Sequence, residues 1–421
     1  MEGIEGIVRI IIYVSVFIGF FTLTFYLLGF ISRKREIPKL KELPQVSIII
    51  PAYNEEETLE KTVESAVALN YPKNKFEILI VDDGSRDRTL EIAKTLAKKY
   101  ENVRAFTKKN GGKASAMNLG IKKSRGEIVI SFDADSMVVK EALIKMVPYF
   151  ADPKVMCVTP ALKVWKPKGI LQRVQAIEYD LGIFLRKAFS NINTVHVTPG
   201  PFSAYRKEFF EQYGGYEVGN ITEDMEIAMR IQSLNKEYRI ENCIEAVVYT
   251  VAPNKLRDLT IQRRRWYFGM IKNLSKYRHM FSKEYGELGV LIFPMAIFSI
   301  ATTMIVTLYY IIKAIVDGLR DIRDYSLIGF DFVNNWQFKY YMLSLNLYKS
   351  VSEQIMVFTV FFLIVTLCIL LIVNWRAKTI DRPLSTFISY VFFMFFYSIL
   401  FTIWWIISII YAGIKTEINW R

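Results

Sequence analysis

Four long runs without a charged residue constrain this chain more than any other feature of its sequence. Each run is long enough to cross about 30 Å of hydrocarbon as a helix. They cover Ile10–Ile31, Leu288–Ile312, Ile355–Val373 and Phe387–Tyr411. The first lacks the short apolar core and small-residue cleavage site of a signal peptide, so we interpret it as an anchor. The sequence therefore predicts an α-helical transmembrane domain of about four spans, one within residues 1–35 and three within 286–421.

The charge balance indicates which partners to expect. The 421-residue chain carries a net charge of +13, yet 52% of its residues are hydrophobic and 14% are aromatic. Basic chains commonly bind nucleic acid or present basic cytoplasmic faces beside a membrane, and the apolar runs favour the second class. We therefore expect a lipid bilayer, and no nucleic acid, among the partners. The sequence does not indicate an oligomeric state.

Basic residues near the ends of the apolar runs predict the orientation in the membrane. A basic cluster over residues 33–41 follows the first run, and the short loop 375–385 carries three bases against one acid. Segment 313–354 carries equal numbers of bases and acids. Because bases favour the cytoplasmic side, we predict an integral cell-membrane protein with residues 36–285 in the cytoplasm and both termini outside.

The cysteines and histidines do not form a metal-binding or disulfide pattern. Cys157, Cys243 and Cys368 lie far apart, and the only histidines are His196 and His279. No pair of them has the spacing of zinc ligands. We therefore expect neither a zinc site nor a disulfide framework.

Residues 46–160 alternate between apolar, β-rich runs and stretches with helical spacing. The runs are VSIIIPAYNE from residue 46, FEILIVDDGS from 76, NVRAFTKKN from 102 and EIVISFDADS from 127. Helices are predicted between them, over 56–69, 89–100 and 113–123. This alternation is typical of a mostly parallel sheet with flanking helices, in which ligands bind at the carboxyl ends of the strands.

Acidic clusters stand at those predicted strand ends. Asp133 and Asp135 follow the run EIVISF. Two carboxylates so placed can share Mg²⁺ with a diphosphate. A D-x-D pair alone is more often two solvated loop acids, but its position at the end of the run EIVISF favours the metal site. Asp82 and Asp83 of DDGS have two open interpretations, hydrogen bonding to a base or ribose, or an Asx-type turn that caps the next helix.

Two further motifs contain candidate catalytic groups. Lys113 follows two glycines at a predicted helix start, which is a favourable position for phosphate, although no P-loop or dinucleotide fingerprint is present. In 222-TED-224, Thr222 is a candidate N-cap with Glu223 and Asp224 in the first turn, where acids suit the helix dipole. The functional alternative makes Asp224 a general base that deprotonates an acceptor hydroxyl.

The segment 262-QRRRW-266 is either an electrostatic collar against anionic lipid or part of an active site. In the first case, Arg263 or Arg264 touches lipid headgroups. Apolar residues at helical spacing over 165–189, with basic ends, predict an interfacial helix on the inner membrane surface, the alternative being a core-facing helix. We expect a second interfacial helix over 257–280.

Taken in order, these motifs resemble the family 2 inverting glycosyltransferases with a GT-A fold. The resemblance is closer to their membrane-embedded branch, the chitin, hyaluronan, cellulose and poly-N-acetylglucosamine synthases. It covers about residues 46–270. The matching pieces are 51-PAYNE-55, 82-DDGS-85, 113-KASAMNLG-120, 133-DAD-135, 200-GPFSAYR-206, 222-TED-224 and 262-QRRRW-266.

The resemblance implies a role for each matched residue. It assigns the nucleotide sugar to Tyr53, Glu55, Asp82, Asp83, Lys113 and Asp133. It assigns the diphosphate and acceptor to Gln262, Arg263, Arg265 and Trp266. Catalysis falls to Asp224, with Glu223 beside it, and Mg²⁺ or Mn²⁺ to Asp135 with Asp133.

The expected function is an inverting, metal-dependent transferase that builds a β-linked polysaccharide from a nucleotide sugar and translocates it. UDP is the nucleotide that the resemblance implies, and the acceptor is the growing glycan. A non-processive enzyme that glycosylates a lipid is the alternative, because some ceramide glucosyltransferase-like enzymes share the last motif. A non-enzymatic receptor or channel with a degenerate sugar-nucleotide domain is a third class, disfavoured because every expected acid is present.

Overall fold

A computed structural model of the chain describes residues 2–32, 39–327, 364–373 and 383–414. The strands are β1 Val46–Ala52, β2 Phe76–Asp82, β3 Val103–Thr107, β4 Ile128–Ser131, β5 Met137–Val138, β6 Val155–Val164, β7 Ser203–Arg206 and β8 Arg239–Thr250. The helices of the first half are α1 Glu2–Ile31, α2 Leu59–Val67, α3 Thr89–Lys99, α4 Lys113–Lys123, α5 Ala142–Met146 and α6 Gly169–Asn191. The others are α7 Lys207–Tyr213, α8 Glu223–Leu234, α9 Leu256–Lys276, α10 Phe293–Leu327, α11 Ile364–Val373 and α12 Pro383–Ile414.

All eight strands form one sheet, in the order β3-β2-β1-β4-β7-β6-β8-β5. The first four strands of this order are parallel to one another, as predicted. Strand β7 runs antiparallel to both its neighbours, β6 pairs in parallel with β8, and β5 is antiparallel to β8. The sheet is therefore mixed, with the predicted parallel part as one half.

Helices cover both faces of the parallel half. Ile48 and Ile50 of β1 belong to one buried cluster, whereas Ile49 belongs to another on the opposite face. Successive side chains of a strand point to opposite faces, so a strand buried on both sides has no polar alternation. This explains why β1 reads as a continuous apolar run.

The predicted membrane runs are partly confirmed. Within the described residues, two helical segments are long and apolar enough to span a bilayer, Gly6–Ile31 and Leu288–Arg320. A third candidate is the bent pair Ile388–Met394 and Ile399–Ile414, whose axes meet at 46°. The rest of the predicted span Ile355–Val373, before α11, lies outside the described residues.

Helix α6 joins the sheet to the membrane helices. It packs on β6 and β8 on one side and on α1 and α12 on the other. Helix α6 therefore packs against the sheet, as in the core-facing alternative, and its place on the inner membrane surface stays a prediction. Helix α9 also packs on α12, and it contacts α8.

Candidate active site

The two acids of DDGS turn inward at the end of β2. Asp82 Oδ1 accepts the Ser85 N–H at 3.1 Å, and Oδ2 accepts the Thr107 hydroxyl at 2.7 Å. Asp83 accepts a bond from Lys108 Nζ at 2.7 Å and from the backbone N–H groups of the glycine pair before α4. Both acids are buried. These contacts differ from the predicted cap of the next helix, since the N-cap residue of α3 makes no side-chain capping bond. Asp82 keeps one local bond, to Ser85, while Asp83 fixes the loop that leads to Lys113.

The PAYNE turn after β1 places Glu55 beside the D-x-D pair. Its carboxylate accepts the Thr58 hydroxyl at 2.7 Å. Burial raises the Glu55 pKa, and the negative charges of Asp135 and Asp133 raise it further. Tyr53 is half-buried in the same turn. The ends of β1 and β4 therefore bring their acids together, as expected for neighbouring parallel strands.

Asp133 and Asp135 follow β4 and form the carboxylate pair of the site. Asp133 Oδ1 lies 2.5 Å from Lys113 Nζ, and Asp135 accepts the Ser136 hydroxyl at 3.0 Å. Burial and the adjacent charge of Asp133 raise the Asp135 pKa. A divalent cation would relieve that repulsion, so the donor set fits a hard metal ion. Across the described residues, no group of three or more metal-ligating side chains converges, so diphosphate oxygens would complete the coordination.

Lys113 is the cation at the centre of these acids. It is the first residue of α4, after Gly112 at φ 83°. Its Nζ also lies 3.5 Å from Glu223 Oε1. Burial opposes the charged form, but the carboxylates of Asp133, Glu223 and Asp224 outweigh burial and raise the Lys113 pKa.

Gly200, in the segment before β7, was not predicted as a site residue. A Cβ at this position would lie 2.8 Å from Lys113 Nζ and 3.1 Å from Asp133 Oδ2. Only glycine leaves that ion pair accessible from this side. The GPFSAYR motif contained the signal, since a glycine can mark a close approach of backbone to a functional group.

The TED segment begins α8 as predicted, but Thr222 has a different role from the one expected. Its side chain makes no capping hydrogen bond. Instead, Thr222 Oγ1 accepts Asn273 Nδ2 of α9 at 2.9 Å. Glu223 and Asp224 lie in the first turn, and the Thr198 hydroxyl donates to the Asp224 carbonyl oxygen at 2.7 Å. The turn is therefore held from two sides.

Burial makes both acids of this turn harder to ionise. It raises the pKa of Glu223 to about 7, against the opposing effect of Lys113. It also raises the Asp224 pKa, which the positive charges of Lys113 and Arg265 partly lower again. A carboxylate with a raised pKa beside cations is a stronger proton acceptor once it is ionised.

Helix α9 brings QRRRW to this turn through a close backbone contact. Gly269 lies directly against Thr222, whose Cγ2 and Cβ would be 2.5 Å and 2.9 Å from an added Cβ. One turn earlier on α9, Arg265 acts on the charge of Asp224. The TED and QRRRW motifs, the last two in the sequence, are thus 40 residues apart in the chain and adjacent in space because α9 packs on α8.

Arg263 departs from both roles predicted for it. Its guanidinium is completely buried, with Nη2 2.6 Å from Glu178 Oε2 of α6. It therefore contacts neither lipid headgroups nor an open diphosphate site. Arg264 Nη1 bonds the Tyr411 hydroxyl at 3.1 Å. These two arginines bind the protein's own helices, so the collar interpretation does not account for them.

Comparison with known proteins agrees with this arrangement. The family model described as glycosyl transferase family 2 matches residues 47–214. The poly-beta-1,6-N-acetyl-D-glucosamine synthase of Staphylococcus aureus (strain COL) is 31% identical over 283 residues, which cover 66% of this chain and 67% of that protein. The chain belongs to glycosyl transferase family 2.

One further relative supports this family, and one solved structure supports the fold. The probable glycosyltransferase YdaM of Bacillus subtilis (strain 168) is 31% identical over 268 residues, or 60% of this chain and 63% of that protein. A mannosyltransferase, PcManGT from Pyrobaculum calidifontis in complex with GDP-Man and Mn2+, superposes with a TM-score of 0.60 over 99% of both chains at 17% identity. The family 2 chain therefore has a GT-A-like mixed α/β domain with two or three candidate membrane helices.

Proposed function

We propose that this family 2 enzyme is a membrane-embedded, inverting glycosyltransferase that builds a β-linked polysaccharide from a UDP-sugar and passes it through its membrane region. The observation that carries the proposal is the convergence of Lys113, Asp133, Asp224 and Arg265 near the carboxyl ends of the parallel strands. The likeness to a poly-beta-1,6-N-acetyl-D-glucosamine synthase supports a polymeric product.

Asp224 acts as the general base. Its carboxylate lies in the first turn of α8, beside two cations that offset part of the rise in its pKa caused by burial. It accepts the proton of the acceptor hydroxyl while the hydroxyl oxygen attacks the anomeric carbon. The bond to the nucleoside diphosphate breaks on the opposite face, so an α-linked donor gives a β-linked product. Glu223 has a pKa of about 7, so its gain or loss of a proton changes the net charge beside Lys113.

The leaving diphosphate binds the two cations of the site. Lys113 faces Asp133 and Glu223 in this structure and would exchange part of that pairing for phosphate oxygens. Arg265 adds a planar guanidinium that suits two phosphate oxygens at once. Charge developing on the diphosphate during bond cleavage is thereby stabilised.

The nucleoside occupies the ends of β1 and β2. Tyr53 stacks on the base and Glu55 bonds the ribose, since both lie in the turn that follows β1. Asp82 and Asp83 contribute by fixing the conformation of the neighbouring loop through hydrogen bonds. The uracil base contacts the turn that these two residues form.

Asp135, with Asp133, would hold Mg²⁺ or Mn²⁺ against the diphosphate. When bound, the ion neutralises phosphate charge and favours departure of the nucleoside diphosphate. The raised pKa of Asp135 fits a carboxylate that lacks such a counter-charge.

The acceptor approaches from the α9 side. Trp266 offers an apolar face to a sugar ring. Gln262 Oε1 is buried and, among the described residues, meets no hydrogen-bond donor, so a sugar hydroxyl can occupy that position. We place the domain of residues 36–285 in the cytoplasm, with an anchor over 1–35, three spans over 286–421 and both termini outside. The product then leaves along the helices that contact α6 and α9.

The test is incubation of the purified, lipid-reconstituted protein with a panel of radiolabelled sugar nucleotides and a divalent cation. A β-linked polymer, identified by mass and linkage analysis, supports the proposal. A single-sugar glycolipid would replace it with the non-processive alternative. Absence of transfer from every donor would overturn it.

A further inference from the structure

One carboxylate, that of Glu178, connects helices α6, α9 and α12 through an ion pair and a hydrogen bond. Arg263 of α9 bonds Glu178 of α6 at 2.6 Å, and the same Glu178 oxygen accepts the Tyr397 hydroxyl of α12 at 2.5 Å. Only 1% of the Arg263 side chain is exposed. The contact therefore joins the catalytic domain, the intermediate helix and a membrane helix at one carboxylate.

The guanidinium of this pair also supports Trp266. Arg263 Cζ lies 4.2 Å from the centre of the Trp266 ring and 6.0 Å from that of Trp404. A guanidinium over an indole face is favourable and fixes the orientation of both groups. Because one side of Trp266 rests on a cation that is itself anchored, the indole has little freedom to tilt.

Three other contacts between α9 and α12 involve residues of α9 other than Trp266. Trp404 Nε1 donates to Thr260 Oγ1 at 3.1 Å, and Tyr267 stacks on Trp405 at 4.7 Å. Arg264 bonds the Tyr411 hydroxyl and lies over its ring at 4.8 Å. Arg264 is next to Arg263 on α9 and, like it, has its guanidinium near an aromatic ring of α12, but its hydrogen bond goes to a tyrosine hydroxyl and not to Glu178. It therefore provides a control for the loss of a guanidinium from this interface.

We propose that Arg263, fixed by Glu178 and Tyr397, is a positioning residue that sets the acceptor-binding face of Trp266 relative to membrane helix α12. This inference rests on the proposed function, because it assigns Trp266 to the acceptor. It gives Arg263 no contact with the donor. The tilt of the Trp266 indole is then determined by membrane helix α12. The growing glycan contacts this indole and passes beside the same helix.

The experiment compares Arg263→Lys with Arg264→Lys in the full-length, reconstituted protein. Lysine keeps the charge for Glu178 but loses the planar surface under Trp266. We expect Arg263→Lys to melt close to the wild type and to keep its KM for the donor. The KM for an added oligosaccharide acceptor should rise about fivefold, with shorter polymers. Arg264→Lys should leave all four measurements unchanged.

A second variant separates positioning from stability. The double substitution Arg263→Met with Glu178→Met removes both buried charges together, and apolar replacement of a buried pair often preserves stability. If the pair serves stability alone, this variant makes polymers of wild-type length. If Arg263 positions Trp266, it melts normally but makes short polymers.

The outcomes distinguish this inference from the proposed function. Wild-type polymer length in both Arg263 variants overturns the positioning role and leaves the transferase proposal intact. If the wild type transfers one sugar to a lipid, the polymer proposal fails, and the positioning role is decided by the KM for that lipid in the same variants. If no donor is used by the wild type, both are overturned.

Discussion

Gly269→Ala tests the contact that places the candidate base next to QRRRW. An added Cβ would overlap Thr222 Oγ1 and lie 2.5 Å from Thr222 Cγ2, whereas ordinary contacts begin at 3.4 Å. Thr222 precedes α8, and its own Cβ would lie 2.9 Å from the added Cβ, so rotation of the Thr222 side chain alone does not relieve the overlap. Helix α9 and Thr222 must therefore separate by about 1 Å. That shift moves Arg265 away from Asp224 and breaks the Asn273 bond to Thr222.

The expected effects on stability and activity follow from this shift. Helix propensity alone would favour alanine by about 1 kcal/mol. Overpacking typically costs about 1–3 kcal/mol, so we expect net destabilisation. A misplacement of about 1 Å at a reacting centre can reduce the rate about a hundredfold. We therefore expect kcat for sugar transfer to fall far more than thermal stability does.

The assay measures sugar transfer and thermal unfolding of purified Gly269→Ala beside Gly318→Ala. Gly318 is also helical, in α10, but nothing lies within 4 Å of its added Cβ. The control should keep its activity and melt at the same temperature as the wild type or slightly higher. If Gly269→Ala behaves like this control, the close approach does not set the geometry of the site and the reasoning is refuted.

Three other predictions concern the charged groups of the site. Asp224→Asn should reduce transfer by about a hundredfold or more because the base is lost, while UDP binding by calorimetry stays unchanged; equal loss of both would contradict the assignment. Arg265→Lys keeps the positive charge but loses the bidentate contact with two phosphate oxygens, so kcat/KM should drop about tenfold. Wild-type kinetics in this variant would show that only the positive charge at position 265 matters. Because burial raises the Asp224 pKa, and the base works only when ionised, kcat/KM should decline on acidification at a higher pH than a solvated aspartate allows, its ordinary pKa being about 3.9. A pH–rate profile whose acidic limb lies at that ordinary value would argue against a buried base.

The parallel half of the fold could be predicted because its determinants are local. Strands β1, β2 and β4 are buried on both faces and read as apolar runs, and the predicted helix over 113–123 coincides with α4. The pattern predicted no strand after residue 136. Strand β6 pairs with β8 from Val155↔Arg239 onward, across more than 80 residues. Such pairing leaves no short-range signal, so the mixed half of the sheet emerged only from the structure.

The members of the site were predictable from motif order, but the direction of their side chains was not. Asp82 and Asp83 occupy a strand end, yet Thr107 and Lys108 from β3 and its following loop take up their carboxylates. Thr222 precedes a helix, yet its hydroxyl bonds Asn273 instead of capping. Asp83 and Thr222 thus bond partners distant in sequence, and Asp82 divides its oxygens between Ser85 and the distant Thr107, a choice that a motif cannot reveal.

The spacing of residues in and around QRRRW explains why this short segment contacts both the TED turn and helix α12. On a helix with 3.6 residues per turn, positions 262, 265, 269 and 273 share one face, and positions 260, 263, 264 and 267 share another. The first face carries Arg265 and Gly269 against the TED turn. The second carries every residue through which α9 contacts the aromatic side chains of α12 described above.

Trp266 lies between these two faces, which is why its orientation depends on both. The arginines of the segment therefore divide by face, with Arg265 toward Asp224, Arg263 toward Glu178 of α6 and Arg264 toward Tyr411 of α12. Binding to lipid headgroups would not require arginines on two different faces of α9, because any exposed arginine can bind a headgroup. Fixed positions on two faces are required when one helix must hold a catalytic group and a membrane span in a constant relation.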